Sequence, residues 1–113
     1  MRVSFETIDN ILIAELDGEL DHHTAKDARE ELDKTIDAFF INHLIFDFKK
    51  VTFMDSSGIG VIIGRYNKIH DMNGRVGVAN CNKYVDKIFA VADLYSIIEK
   101  FDDRDQAIKA FNE

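Results

Sequence analysis

The residues best equipped for chemistry are Asp55-Ser56-Ser57-Gly58, where a helical pattern begins. A helix start offers unpaired backbone N–H groups and the positive end of the helix dipole. Asp and Ser are preferred there because their oxygens accept one of those N–H groups. One capping side chain suffices, and here three candidates stand in a row. At least one hydroxyl is surplus, at a position where the added charge of a phosphate is tolerated by the fold. From the residues alone two readings stand side by side: a plain helix cap, and a hydroxyl available for modification.

Other chemistries lack their parts. Ser57 as a nucleophile would need a general base and an orienting third group, and no GxSxG elbow surrounds it. His22 and His23 sit together in a strand-to-helix loop, a surface arrangement. The four histidines (22, 23, 43 and 70) show no HExxH or comparable ligand spacing, so no metal site and no catalytic residue is assigned. Gly58-x-Gly60-x-x-x-Gly64 approaches the dinucleotide fingerprint but has one residue too many. Ala79-Asn80 stands where an acidic ribose partner is expected, so no cofactor is assigned. Gly60 and Gly64 share a helical face, and two explanations stay open: close packing within the domain, or close approach of a partner. Cys81 has no second cysteine to pair with and reads as a small packed residue.

The elements that position these residues follow from periodicity. Residues 3–8 and 11–17 read as strands joined at the polar Asp9-Asn10 turn. In the second, Ile11 and Ile13 face one way and Leu12, Ala14 and Leu16 the other, as in a strand covered on both sides. Asp17-Gly18 is read as its end. A helix is predicted over 24–40, with Ala25, Ala28, Leu32, Ile36 and Phe39 as its buried stripe. Thr24 and Asp27 resemble a capping box. Leu44 to Phe48 reads as a central strand. The helix that follows Asp55 runs to His70 with Ile59, Ile62, Ile63, Tyr66 and Ile69 inward. Next come a strand over 76–79 and a helix over 83–91, with Val85, Ile88, Phe89 and Ala92 inward. A short strand over 97–101 leads to a last helix capped by Asp103 and Gln106. The order β-β-α-β-α-β-α-β-α implies an α/β sheet faced by helices.

A chain of 113 residues fits one domain, 1–113. Its 46% hydrophobic and 31% charged residues are those of a globular protein. The net charge of -7, from 21 acidic and 14 basic side chains, argues against nucleic acid as the partner. An acidic surface suits protein partners that carry basic patches. The N-terminus has no apolar signal core and no run reaches membrane-spanning length. No membrane association and a cytoplasmic location are therefore expected.

The stretch Phe53-Met54-Asp55-Ser56-Ser57-Gly58-Ile59-Gly60-Val61-Ile62-Ile63-Gly64-Arg65-Tyr66 closely resembles the phosphorylation-site segment of sporulation anti-anti-sigma factors. Gly18-Glu19-Leu20-Asp21-His22-His23-Thr24-Ala25 is similar to the other signature of that group, whose wider family is the STAS domain. The resemblance spans essentially the whole chain. It implies a STAS fold, a central mixed β-sheet of about five strands with about four α-helices. It also implies a non-enzymatic antagonist whose unphosphorylated form binds an anti-sigma factor serine kinase and frees a sporulation sigma factor. The kinase, using ATP, would phosphorylate Ser57, and a PP2C-type phosphatase would restore the active form. Asp21, Asp55 and Ser56 correspond to loop residues beside that site. His22, His23, Gly58 and Gly60 are expected with them at the partner surface.

Three other readings stand beside it: a stress-response antagonist of the same family, a small nucleotide-binding protein, and an interaction module that is never phosphorylated. Arg65, two turns along the same helix, is the nearest basic residue on it, so no clamp for a phosphate is expected. On that reading the phosphate stays exposed, held only by the helix start, and blocks an interface without refolding the domain.

Overall fold

The computed structural model describes residues 1–113. Strands β1 (Arg2–Ile8) and β2 (Ile11–Leu20) form an antiparallel hairpin, with Asp9 taking φ +54° at the turn. The chain continues through α1 (Ala25–Ala38), β3 (His43–Met54), α2 (Ser56–His70), β4 (Val76–Ala79) and α3 (Lys83–Val91). A 3-10 turn at Leu94–Ser96 leads to β5 (Glu99–Phe101) and α4 (Arg104–Phe111). The sheet order is β1-β2-β3-β4-β5, with β2 to β5 parallel. Parallel neighbours need crossovers, and each crossover here carries one helix. This is the mixed five-stranded sheet with four helices that the resemblance implied.

The alternation along β2 sets the layers. Leu12, Ala14 and Leu16 enter a core with Leu32 of α1, Ile62 of α2 and Phe89 of α3. Ile11 and Ile13 face the other way, against Ala107 and Phe111 of α4. Burying both faces of a central strand removes its apolar side chains from water at roughly 25 cal/mol per Å².

Polar groups fasten α4 to its face. Asp47, only 2% exposed, accepts hydrogen bonds from Arg104 Nε (2.5 Å), Asn80 Nδ2 (3.0 Å) and the Lys49 N–H (2.9 Å). Arg104 also reaches Glu15 (2.6 Å) and Glu6 (3.1 Å), so one guanidinium joins α4 to β1, β2 and β3. Burial pushes the Asp47 carboxyl up. The bonds from Arg104, Lys49 and Asn80 outweigh that and hold it below the usual carboxylate value.

Several local expectations are corrected. Asp17-Gly18 does not end β2, because the ladder to β3 carries the strand on to Leu20 opposite Met54. Register shifts flank Gly18, whose φ of +112° suits only glycine. Helix α1 stops at Ala38 and Phe39 is extended and exposed, since the Asn42 and His43 N–H groups bond Asn10 O to bring β3 beside β2. Thr24 and Asp27 form no capping box, because the Thr24 hydroxyl donates to Glu19 O instead. The inner face of α2 is Gly58, Val61, Ile62, Arg65 and Ile69, with Ile59 and Tyr66 partly buried against the core as expected, while Ile63 is exposed. That helix is turned so that Arg65 meets Asp33 of α1 at 3.0 Å. Ala92 lies beyond α3 and is exposed, and the last strand begins at Glu99 after the 3-10 turn.

Candidate partner-binding and phosphorylation site

Leu20 and Met54 are paired in register at the carboxyl ends of β2 and β3, so the loops that follow them are neighbours. Open α/β sheets place their binding sites at this end. The Asp55 N–H donates to Leu20 O at 3.3 Å, closing the two loops together. Asp55 is the true helix cap: its Oδ1 accepts from the Ser57 N–H at 2.8 Å. Its Oδ2 accepts from the His22 N–H at 3.2 Å, so one carboxylate serves both loops.

The other loop is held from within. Asp21 Oδ1 accepts from the N–H groups of His23 (2.8 Å) and Thr24 (3.2 Å). Thr24 Oγ1 accepts from the Asp21 N–H (3.0 Å) and donates to Glu19 O (2.8 Å). Desolvation pushes the Asp21 carboxyl up, but the bonds from His23 and Thr24 hold it below its ordinary value. A third element joins in: the Tyr84 hydroxyl on α3 donates to Met54 O at 2.8 Å, just before the cap.

With Asp55 as the cap, both serine hydroxyls are surplus, and the two face different surroundings. Ser56 is exposed and lines an apolar groove of about 510 Å³ with Ile59, Tyr84, Ile88 and Val91. Ser57 is half-buried and lines a cleft of about 400 Å³ between α1 and α2, with His22, Ala25, Lys26, Arg29 and Gly60. Helical geometry explains the divergence, since adjacent residues on a helix point about 100° apart.

Most residues expected at the site are brought together here. His22 and His23 are exposed, with ring centroids 5.7 Å apart. Gly58 is buried, and a Cβ there would meet Met54 Cγ at 2.5 Å and Leu20 Cδ2 at 3.1 Å. Gly60 and Gly64 are different: nothing lies within 4 Å of a Cβ built on either, so packing within the domain does not explain them.

Arg65 does not stand free near Ser57 but is buried against Asp33. The basic residues beside Ser57 are Lys26 and Arg29 of α1, which reading along the Ser57 helix alone does not find. Their signal is present in the sequence as helical spacing, since 25–26 and 29 fall on one side of α1. Only the packing of α1 on α2 shows that this side meets Ser57. Cys81 lies beyond β4, where burial pushes its thiol up to about 12, an unreactive state.

This arrangement is a mixed sheet carrying a doubly anchored helix start with two serine hydroxyls free of protein hydrogen bonds. Residues 2–107 match the family described as the STAS domain, and the chain belongs to that family. It is 34% identical over 108 residues to an anti-sigma F factor antagonist of Paenibacillus polymyxa, covering 96% of this chain and 92% of that protein. The Bacillus cell fate determinant SpoIIAA in its phosphorylated form superposes with a TM-score of 0.74 at 26% identity, covering 96% of this chain and 98% of the other. An anti-sigma factor antagonist from Mycobacterium paratuberculosis shares the fold with a TM-score of 0.89 at 20% identity, covering 99% and 94% of the two chains.

Proposed function

We propose that this chain is an anti-sigma factor antagonist controlled by phosphorylation of Ser57. The unphosphorylated form binds an anti-sigma factor that is also a serine kinase, and so frees a sporulation sigma factor in the cytoplasm. The kinase transfers the γ-phosphoryl group of ATP to Ser57 Oγ, the hydroxyl proton leaves, and ADP is released. A PP2C-type phosphatase hydrolyses the ester and restores the binding form. The protein is a substrate here and not an enzyme, and residues 1–113 act as one domain.

The observation that carries this reading is the freedom of the Ser57 hydroxyl. Asp55 has taken over the capping bond, and Ser57 Oγ has no hydrogen bond of its own beside an open cleft. The relative from Paenibacillus polymyxa and the phosphorylated Bacillus protein support the same role. A phosphate adds about -1.5 to -2 charge at neutral pH to a surface that must otherwise meet the kinase. The partner surface joins Asp21, His22, His23, Asp55, Ser56, Gly58 and Gly60, with Gly58 acting from beneath through its packing.

The decisive experiment is incubation with the cognate kinase and ATP, read by intact mass. A gain of one phosphoryl group is expected, lost in Ser57→Ala and kept in Ser56→Ala. The opposite pattern would move the site to Ser56, and no gain in the unaltered chain would remove the phosphorylation reading.

A further inference from the structure

The cleft beside Ser57 holds two cations that nothing in the protein neutralises. Lys26 and Arg29 line it from α1, and neither forms an ion pair or a side-chain hydrogen bond. One turn further along the same seam the charges are matched. Asp33 meets Arg65 at 3.0 Å and Lys68 at 4.0 Å, and Asp37 meets Lys68 at 2.8 Å. Two acidic residues of α1 face elsewhere: Asp27 and Glu31 line a separate cavity toward β1 with Met1 and Val3. The end of the α1–α2 seam nearest Ser57 thus presents two cations without an ion-pair partner, in a protein of net charge -7.

The pocket also has room. Gly60 contributes no side chain to it, and nothing lies within 4 Å of where its Cβ would be. The nearby carboxylates keep their charge but accept backbone N–H groups, Asp55 from Ser57 and His22 and Asp21 from His23 and Thr24, so neither pairs with Lys26 or Arg29. A group added at Ser57 Oγ therefore enters a space walled by an ammonium, a guanidinium and the start of α2. Arginine and lysine both recognise phosphate oxygens, the former in a two-pronged geometry.

We propose that Lys26 and Arg29 are a built-in acceptor for the phosphoryl group on Ser57, holding it in the α1–α2 cleft. The proposal rests on Ser57 being the modified residue. It replaces an exposed phosphate with a neutralised one. The switched-off state then stabilises itself: the phosphate fills the cleft and occupies both cations, so neither space nor charge is left there for a partner.

The test uses the full chain with phosphoserine installed at position 57 during synthesis, so it does not depend on any kinase. The phosphoserine is titrated by phosphorus NMR in the unaltered protein, in Lys26→Gln/Arg29→Gln, and in Lys34→Gln/Lys109→Gln. The last pair removes the same charge from exposed positions outside the cleft. Cations that hold the dianion lower its second ionisation, ordinarily near 6. Removing Lys26 and Arg29 is expected to raise the midpoint by about 0.5–1 unit, the size expected for two solvent-exposed charge contacts. Each single change should give part of that shift, and the control pair should leave the midpoint unchanged. Equal midpoints in all three proteins, or equal shifts in both double variants, would overturn the proposal. Failure of a kinase to modify Ser57 would instead count against the functional reading and leave this measurement standing.

Discussion

Asp55 reaches across 33 residues to the backbone of His22, and the same carboxylate caps the helix that starts at Ser56. A helix cap that also pins a neighbouring loop makes the two halves of the site one rigid unit. Asp55→Ala removes both bonds. Loss of a cap costs about 1 kcal/mol and loss of a further hydrogen bond about 0.5–1.5 kcal/mol. The expected destabilisation in urea unfolding is about 1–3 kcal/mol. Amide exchange at His22 and Ser57 should quicken together; quickening at Ser57 alone would show that the loops are held by other contacts.

Glycines on one helix should respond in opposite directions. A methyl group at Gly58 meets buried Met54 and Leu20, so Gly58→Ala is expected to destabilise by about 1–2 kcal/mol, in the usual range for overpacking. Gly60→Ala and Gly64→Ala meet nothing and gain helix propensity, so each should stabilise by about 0.5–1 kcal/mol. Thermal unfolding of the three variants checks the contrast. A bulkier Gly60→Leu should fill the cleft and weaken kinase binding without loss of stability.

Substitutions at Ser57 separate binding from switching. Ser57→Ala should bind the kinase as the unaltered chain does and resist being switched off. Ser57→Asp places a charge beside a helix start, where it is tolerated. Its stability should therefore stay within about 0.5 kcal/mol of the unaltered chain, while affinity for the kinase falls. Isothermal titration beside thermal unfolding distinguishes this from a folding defect.

The Asp47–Arg104 contact gives a prediction in acid. Asp47 titrates below its ordinary value in the folded chain, so it favours folding wherever the unfolded carboxyl would be ionised. That contribution is complete above about pH 5 and is lost as pH falls through the unfolded value near 3.9 toward the lower folded one. Arg104→Met should destabilise the protein at pH 7 by about 2–3 kcal/mol, less than a fully buried pair because Arg104 is partly exposed. The deficit should shrink as the solution is acidified toward pH 3, and urea unfolding across pH measures it.

Much of this was legible before folding. Apolar residues on both faces of β2 announced a covered strand, and Ile11 and Ile13 do meet a different layer from Leu12 and Leu16. Asp103 is a cap by its residue type and position, and it accepts from the Gln106 N–H at 2.9 Å. Such features depend on residues a few positions apart, whose geometry the local backbone dictates. Expectations failed where a distant contact prevailed. Phe39 continues the helical stripe by spacing, but the turn into β3 at Asn10 ends α1 first. Ile59, Ile62, Tyr66 and Ile69 of α2 do pack on the core, but Ile63 is exposed and Arg65, which meets Asp33 on another helix, is buried instead.

Asp55 to Gly58 is legible along the chain as a helix start with more hydroxyls than a cap requires, because capping is a property of neighbouring residues. The sequence alone could not say which serine faces what. The tertiary structure decided that Asp55 takes the cap and turns Ser56 toward an apolar groove and Ser57 toward Lys26 and Arg29. Those cations lie about thirty positions earlier in the chain, and only the packing of α1 against α2 brings their charge to the Ser57 hydroxyl.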